Sequence, residues 1–278
     1  MEHISGDLRL ARFIERSGED SDRHLPVWAR RSNPIIRREL GSYWRTILPE
    51  TTFLKKAFLV QAVYIFLSLP FPFLIDFTLP AITAAILLFP VALVMYAQIL
   101  VLLAVSASRA VSSEYENGTL TLLRATPYPM NEIIGSKVAS ALWRQVEDLS
   151  LLLTAAALMS LPLLISQVAS RWPLASEPLL SRGAMILGLA VSILRLVLEP
   201  LMVCMVGALM GAALRGRSQA MLSTLAVMAF YFLLLNLAQH LPLSTPLQLV
   251  ADVVLPLALP LLITWGAFTA TRRLLLRE

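Results

Sequence analysis

PAITAAILLFPVALVMYAQILVLLAVS, residues 80–106, runs for 27 positions without a charged side chain. A helix needs about 20 apolar residues to cross a hydrocarbon core about 30 Å thick, so this stretch reaches across with residues to spare. Reading outward from it, five more apolar runs appear at roughly 57–75, 149–169, 183–213, 219–239 and 249–270, each bounded by charges or prolines. Backbone in lipid must close its own hydrogen bonds, and no ten-residue alternation typical of barrel strands occurs. The six runs therefore predict an all-α polytopic membrane protein with six transmembrane helices. Composition agrees: of 278 residues, 57% are apolar and 15% charged, with a mean hydropathy of +0.72, unlike a soluble domain.

The basic residues orient these spans. Lysine and arginine number eleven in residues 1–56, four in 106–148, two in 214–218 and three in 271–278. If all six runs cross, those twenty share one side, while the opposite loops carry only Arg171 and Arg182, and Arg195 falls within the fourth run. The positive-inside rule then puts both termini and the 106–148 loop in the cytosol of a cell (plasma or inner) membrane. The first 56 residues have neither an early apolar stretch nor a small-residue cleavage site, so the first span is expected to direct insertion. Three parts follow: a cytosolic tail over 1–32, an amphipathic segment over 33–56, and a six-span domain over 57–278.

Within the amphipathic segment, Asn33 is a good N-cap and Pro34 suits the first helical turn. Ile36, Leu40, Tyr43, Trp44 and Ile47 recur on one helical face, with Arg37, Arg38 and Arg45 on the rest. That pattern predicts an interfacial helix in the headgroup plane, Tyr43 and Trp44 at the boundary and arginines toward anionic lipid. The alternative is an ordinary amphipathic helix packed on another cytosolic element.

Several chemistries are disfavoured. A lone Cys204 excludes an intrachain disulfide, and His3, His24 and His240 have no metal-ligand spacing, so no metal site is expected. No nucleophile–base arrangement or paired carboxylates mark a catalytic pocket, and the basic N-terminal segment alternates arginines with acids, unlike a nucleic-acid stripe. The chain also lacks the Gly-x-x-x-x-Gly-Lys-Ser/Thr phosphate cradle, and Gly135-Ser136-Lys137 has no upstream glycine or preceding strand. No catalytic residue and no cofactor is assigned to this chain.

The 106–148 loop is too short to fold as an enzyme domain, yet it is strongly patterned. Gly118 can turn the chain sharply after the second span, Thr119 can cap a short helix, and Thr126-Pro127 ends it. Leu120, Leu122 and Leu123 cannot all be hidden by so short a helix alone, so part of this surface is expected to meet another protein. A second helix begins near Pro129.

Here the sequence resembles a known family. Glu114-Tyr115-Glu116-Asn117-Gly118-Thr119-Leu120, then Leu122-Leu123, Ala125-Thr126-Pro127, Glu132-Ile133 and Gly135-Ser136-Lys137, is similar to the signature of permease subunits of type-2 ATP-binding-cassette exporters. Pro129 departs from it, standing where many members carry a Ser or Thr cap. The resemblance implies that this loop contacts a separate ATPase subunit, which holds ATP and magnesium and tilts the membrane helices as it closes. It also implies an export direction, two ATPase copies, and a second permease copy or a related permease. In that reading Leu120, Leu122 and Leu123 sit in a groove of the partner, Glu114, Glu116 and Arg124 set the register, and changing Leu120 and Leu123 to Asp uncouples ATP hydrolysis from transport.

Two features lie inside the spans. Arg195 and Glu199 are four residues apart on one face of the fourth run, where they can pair. They line a translocation path or, because that run exceeds the needed length, lie near the outer interface. Gly207 and Gly211 form a Gly-x-x-x-Gly motif that lets helices approach closely, within or between subunits. Alternatives to an ATP-driven permease are a secondary transporter without an ATPase and a non-transporting membrane scaffold or regulator. No internal repeat between the two halves favours the secondary transporter.

Overall fold

The computed structural model describes residues 24–41, 51–171, 178–214, 216–241, 247–248 and 250–277, and among these all regular structure is helical. The helices are α1 (Pro34–Leu40), α2 (Thr51–Leu67), α3 (Phe73–Asp76), α4 (Leu79–Glu116), α5 (Leu120–Arg124), α6 (Met130–Arg144), α7 (Val146–Arg171), α8 (Pro178–Ala213), α9 (Arg217–His240) and α10 (Leu255–Arg277). A 3-10 turn at Val27–Ala29 precedes α1, and a π-helical turn at Val250–Val254 leads into α10.

Among the described residues, five stretches are long and apolar enough to cross a bilayer: Leu79–Glu116, Val146–Val168, Pro178–Ala213, Arg217–Ala238 and Ala251–Arg277. The chain is thus a multi-pass membrane protein: four of the six expected runs are each carried by one helix, and the described part of the run at 249–270 by the π-helical turn and α10 together. The run at 57–75 is different. α2 stops at Leu67 after 17 residues, about 25 Å. Pro70 and Pro72 have no N–H to continue the ladder, so the chain turns and resumes only as the four-residue α3.

α8 is the hub of the bundle, packed against α4, α7, α9 and α10. It meets α4 in close backbone contact, and the sequence explains why. A Cβ at Gly207 would lie 3.0 Å from Ala107 Cβ and 3.1 Å from the Ser108 nitrogen. One at Gly211 would lie 2.5 Å from the Ser108 carbonyl oxygen and 3.1 Å from Val111 Cβ. Small residues face small residues, so the two backbones come together without a side chain between them. Of the two roles open to the motif, the structure uses it within one chain. Outward, Leu87 is 77% exposed, and Leu158, Phe230 and Leu262 are bare as well, a surface suited to acyl chains.

At one end of the bundle α1, α5 and α6 gather around the ends of α4 and α10. The Asn33 side chain accepts from the Ile35 N–H at 2.9 Å and Pro34 opens the helix, as the sequence predicts. Of the two uses open to the apolar face of α1, its described part packs on protein. Ile36 and Leu40 are buried with Ala139 and Trp143 of α6, while Ile35 packs with Leu123 and Ile133. The part of the segment that is described packs on a neighbouring helix, which removes its apolar face from lipid. Tyr43, Trp44 and Ile47 lie outside the described residues, as do residues 1–23.

Candidate functional site

The patterned loop folds as a hairpin welded to its surroundings by one carboxylate. α4 runs unbroken to Glu116, and Gly118 then adopts φ +65°, a conformation that a side chain would strain. The reversal brings Thr119 back over the last turn of α4, where its N–H donates to the Glu114 carbonyl at 3.0 Å and its hydroxyl donates to the Glu114 carboxylate. Thr119 therefore stabilises the turn through Glu114 rather than by capping α5 with its own oxygen. Beyond α5, the Thr126 hydroxyl donates to the Leu123 carbonyl at 2.6 Å, and α6 starts at Met130 with no side-chain cap from Pro129. Glu132 sits in the first turn of α6, where a negative charge suits the helix dipole.

Glu114 is buried, and its charge is balanced from two directions. Lys137 Nζ, also buried, lies 2.8 Å from its Oε1, and Arg38 of α1 donates to the same oxygen. Lys137 completes its shell with Glu39 at 3.1 Å and the Ala110 carbonyl at 2.7 Å. One ion cluster thereby ties α1, α4 and α6 together. The residues before Lys137 extend the tie. Gly135 makes room for the Trp28 ring, whose atoms would lie 3.0 Å from a Cβ, and Ser136 donates to the Trp28 carbonyl and accepts from Asn33. Trp143 Nε1 donates to the Ala29 carbonyl at 2.9 Å, and Arg31 lies over the Trp143 ring. Gly135-Ser136-Lys137 is thus a packing and pairing element.

This geometry sorts the predicted loop residues. Leu123 is only 6% exposed, covered by Ile35 and Ile133, and Leu120 packs on the core. Both hold the hairpin together, so aspartates at these positions would disrupt the loop itself; the double change does not isolate docking. Glu114 faces inward and cannot set a partner's register. Leu122, 68% exposed, presents an open apolar surface beside exposed Thr121, Gly118 and Pro127. Glu116 is exposed and pairs with Arg217 of α9 at 3.3 Å. The side chain of Arg124 lies outside the described part.

The polar pair in the fourth run forms a second cluster. Glu199 is 1% exposed, and Arg195 reaches it with Nε and Nη2, each 2.8 Å from Oε1. The Tyr231 hydroxyl of α9 donates to Oε1 at 3.0 Å, and the Tyr96 hydroxyl of α4 donates to Oε2. Glu199 lies about 21 Å along α8 from Ala213, and Tyr231 about 21 Å along α9 from Arg217. The carboxylate is therefore enclosed between three helices, deep in the bundle. An isolated charge there would be costly; three donors offset that cost. Glu199→Leu strands the Arg195 guanidinium and two hydroxyls, and is expected to lower stability by about 3–5 kcal/mol. Glu199→Gln keeps an acceptor and should lose less. Thermal unfolding in detergent ranks the two, and an E199L protein as stable as the parent would refute the assignment.

Sequence spacing could not find Lys137, Glu39, Arg38, Tyr96 or Tyr231 as partners, because each lies on a different helix from the carboxylate it meets or bridges. The available signal was two tyrosines, Tyr96 and Tyr231, each inside an uncharged run. Compared with known proteins, the chain matches no family model, no curated protein and no solved structure.

Proposed function

We propose that the chain is the membrane-spanning permease subunit of an ATP-binding-cassette exporter, driven by a separate ATPase that docks on the α4–α6 hairpin. One observation carries this reading beyond the sequence resemblance. α4 is a single helix of 38 residues, about 57 Å long, and its end is fastened through Glu114 to α1 and α6. A push on the exposed Leu122 face of α5 is then delivered to a spanning helix and, through Gly207 and Gly211, to α8. In this reading the hairpin end is cytosolic, α2 supplies a sixth crossing, and the chain resides in the plasma or inner membrane. The ATP and magnesium belong to two ATPase copies, and a second permease completes the path.

The test uses the detergent-extracted protein with its co-purified ATPase, reconstituted in vesicles. Leu122→Asp, at an exposed position, is expected to leave insertion and thermal stability at parental values while cutting ATP-dependent flux at least tenfold. Parental flux in that variant would remove α5 as the docking element. The buried Glu199 keeps a second reading in view, since an intramembrane carboxylate is common in ion-coupled transporters. Flux driven by an ion gradient with no ATPase present would select it.

A further inference from the structure

The connection between α2 and α4 combines two properties that do not suit a water-exposed loop. It turns its polar groups inward. The Tyr64 hydroxyl donates to the Leu74 carbonyl, Ser68 Oγ to the Ile65 carbonyl at 2.7 Å, and Thr78 Oγ1 to the Ile75 carbonyl at 2.6 Å. Arg182 of α8 donates to the Ser68 carbonyl at 3.3 Å. The backbone N–H groups of Ser68, Leu69 and Phe71 bond to carbonyls of the last turn of α2, those of Leu74, Ile75 and Thr78 bond within the connection, and Pro70 and Pro72 have none. The connection also turns aromatic rings outward. Phe71, Phe73 and Phe77 are all exposed and stack edge to face, with centroids 6.0 and 6.1 Å apart.

Its position supplies the occupant. On either side of the rings in the chain, Phe66 and Leu67 of α2 and Leu79 and Ile86 of α4 are exposed too, an apolar surface suited to acyl chains. From Arg109 to Leu79 α4 measures about 45 Å, longer than the roughly 30 Å hydrocarbon core, so with Arg109 in one headgroup layer the Leu79 end reaches the other. We infer that residues 68–78 are an aromatic wedge seated at the headgroup–acyl boundary of the leaflet remote from α5, with lipid as its partner. Closing these donors internally suits surroundings poorer in water than bulk solvent, and Asp76 remains on the exposed side for the headgroups.

Nitroxide accessibility tests this without reference to transport. In a Cys204→Ala background, Phe71, Phe73 and Phe77 are changed singly to Cys, labelled, and placed in phosphatidylcholine–phosphatidylglycerol vesicles. Leu87→Cys serves as a deep control and Asn117→Cys, exposed at the opposite end, as an aqueous one. Parental thermal unfolding of each variant establishes that it is folded. All three labels are expected to collide more with oxygen than with a water-soluble nickel chelate, at depths between the two controls. Nickel access equal to that of Asn117 would overturn the wedge in favour of water. Low access to both quenchers would overturn it in favour of a protein covering that face.

Discussion

Gly211→Leu is expected to abolish the folded bundle. A Cβ at this position already comes within 2.5 Å of the Ser108 carbonyl oxygen, and the obstacle is helix backbone, which cannot swing aside as a side chain could. Even Gly211→Ala must push α4 and α8 apart, which costs about 1–3 kcal/mol by analogy with overpacked cores. Leucine adds a branched chain where Val111 and Ser112 stand, so no monodisperse protein should survive extraction. Gly183→Ala is the control: nothing lies within 4 Å of its Cβ, and alanine favours the helix, so stability should hold or rise slightly. Size-exclusion profiles and thermal unfolding compare the three. A well-behaved Gly211→Leu protein would mean that α4 and α8 do not meet at this seam.

The second large effect is expected at Lys137. Lys137→Met leaves Glu114 buried, facing Glu39 across the space the ammonium filled, with Arg38 alone to balance both. Breaking a buried pair by removing one partner costs about 3–5 kcal/mol. Glu114→Met combined with Lys137→Met should recover most of that loss, because apolar side chains of similar volume replace a buried ion pair at little net cost. The comparison separates an uncompensated charge from lost packing. Parental stability in the single variant would show that the cluster does not hold the hairpin, and the lever on α4 would then have no anchor.

Much of this architecture is written in local pattern. The uncharged run at 80–106 requires a spanning helix whatever surrounds it, because lipid leaves the backbone no other way to close its hydrogen bonds. Asn33-Pro34 and Gly118 specify a helix start and a reversal through their own backbone preferences, and the structure places both there. Gly-x-x-x-Gly announces close approach by its spacing, although the facing helix cannot be read from it.

What pattern leaves open are the partners. The apolar stripe of α1 reads equally as a lipid face or a packing face, since both present the same periodicity; only the position of α6, with Ala139 and Trp143 against Ile36 and Leu40, decides between them. Leu120, Leu122 and Leu123 are equally apolar in sequence, yet the hairpin turn buries Leu123 and leaves Leu122 open. Glu114 looks like a surface acid beside a turn until Lys137, 23 residues onward, and Arg38, 76 residues back, converge on it. Arg195 and Glu199 declare their own pairing by four-residue spacing, but Tyr96 and Tyr231 reach that carboxylate from helices far away in the chain. The sequence by itself determined which segments are apolar and, apart from the break after Leu67 in the 57–75 run, which are helical, because burial in lipid and backbone preference act residue by residue. Tertiary structure alone decided which polar groups are neutralised and which leucines remain bare, because those outcomes depend on distances between helices that no one-dimensional period encodes.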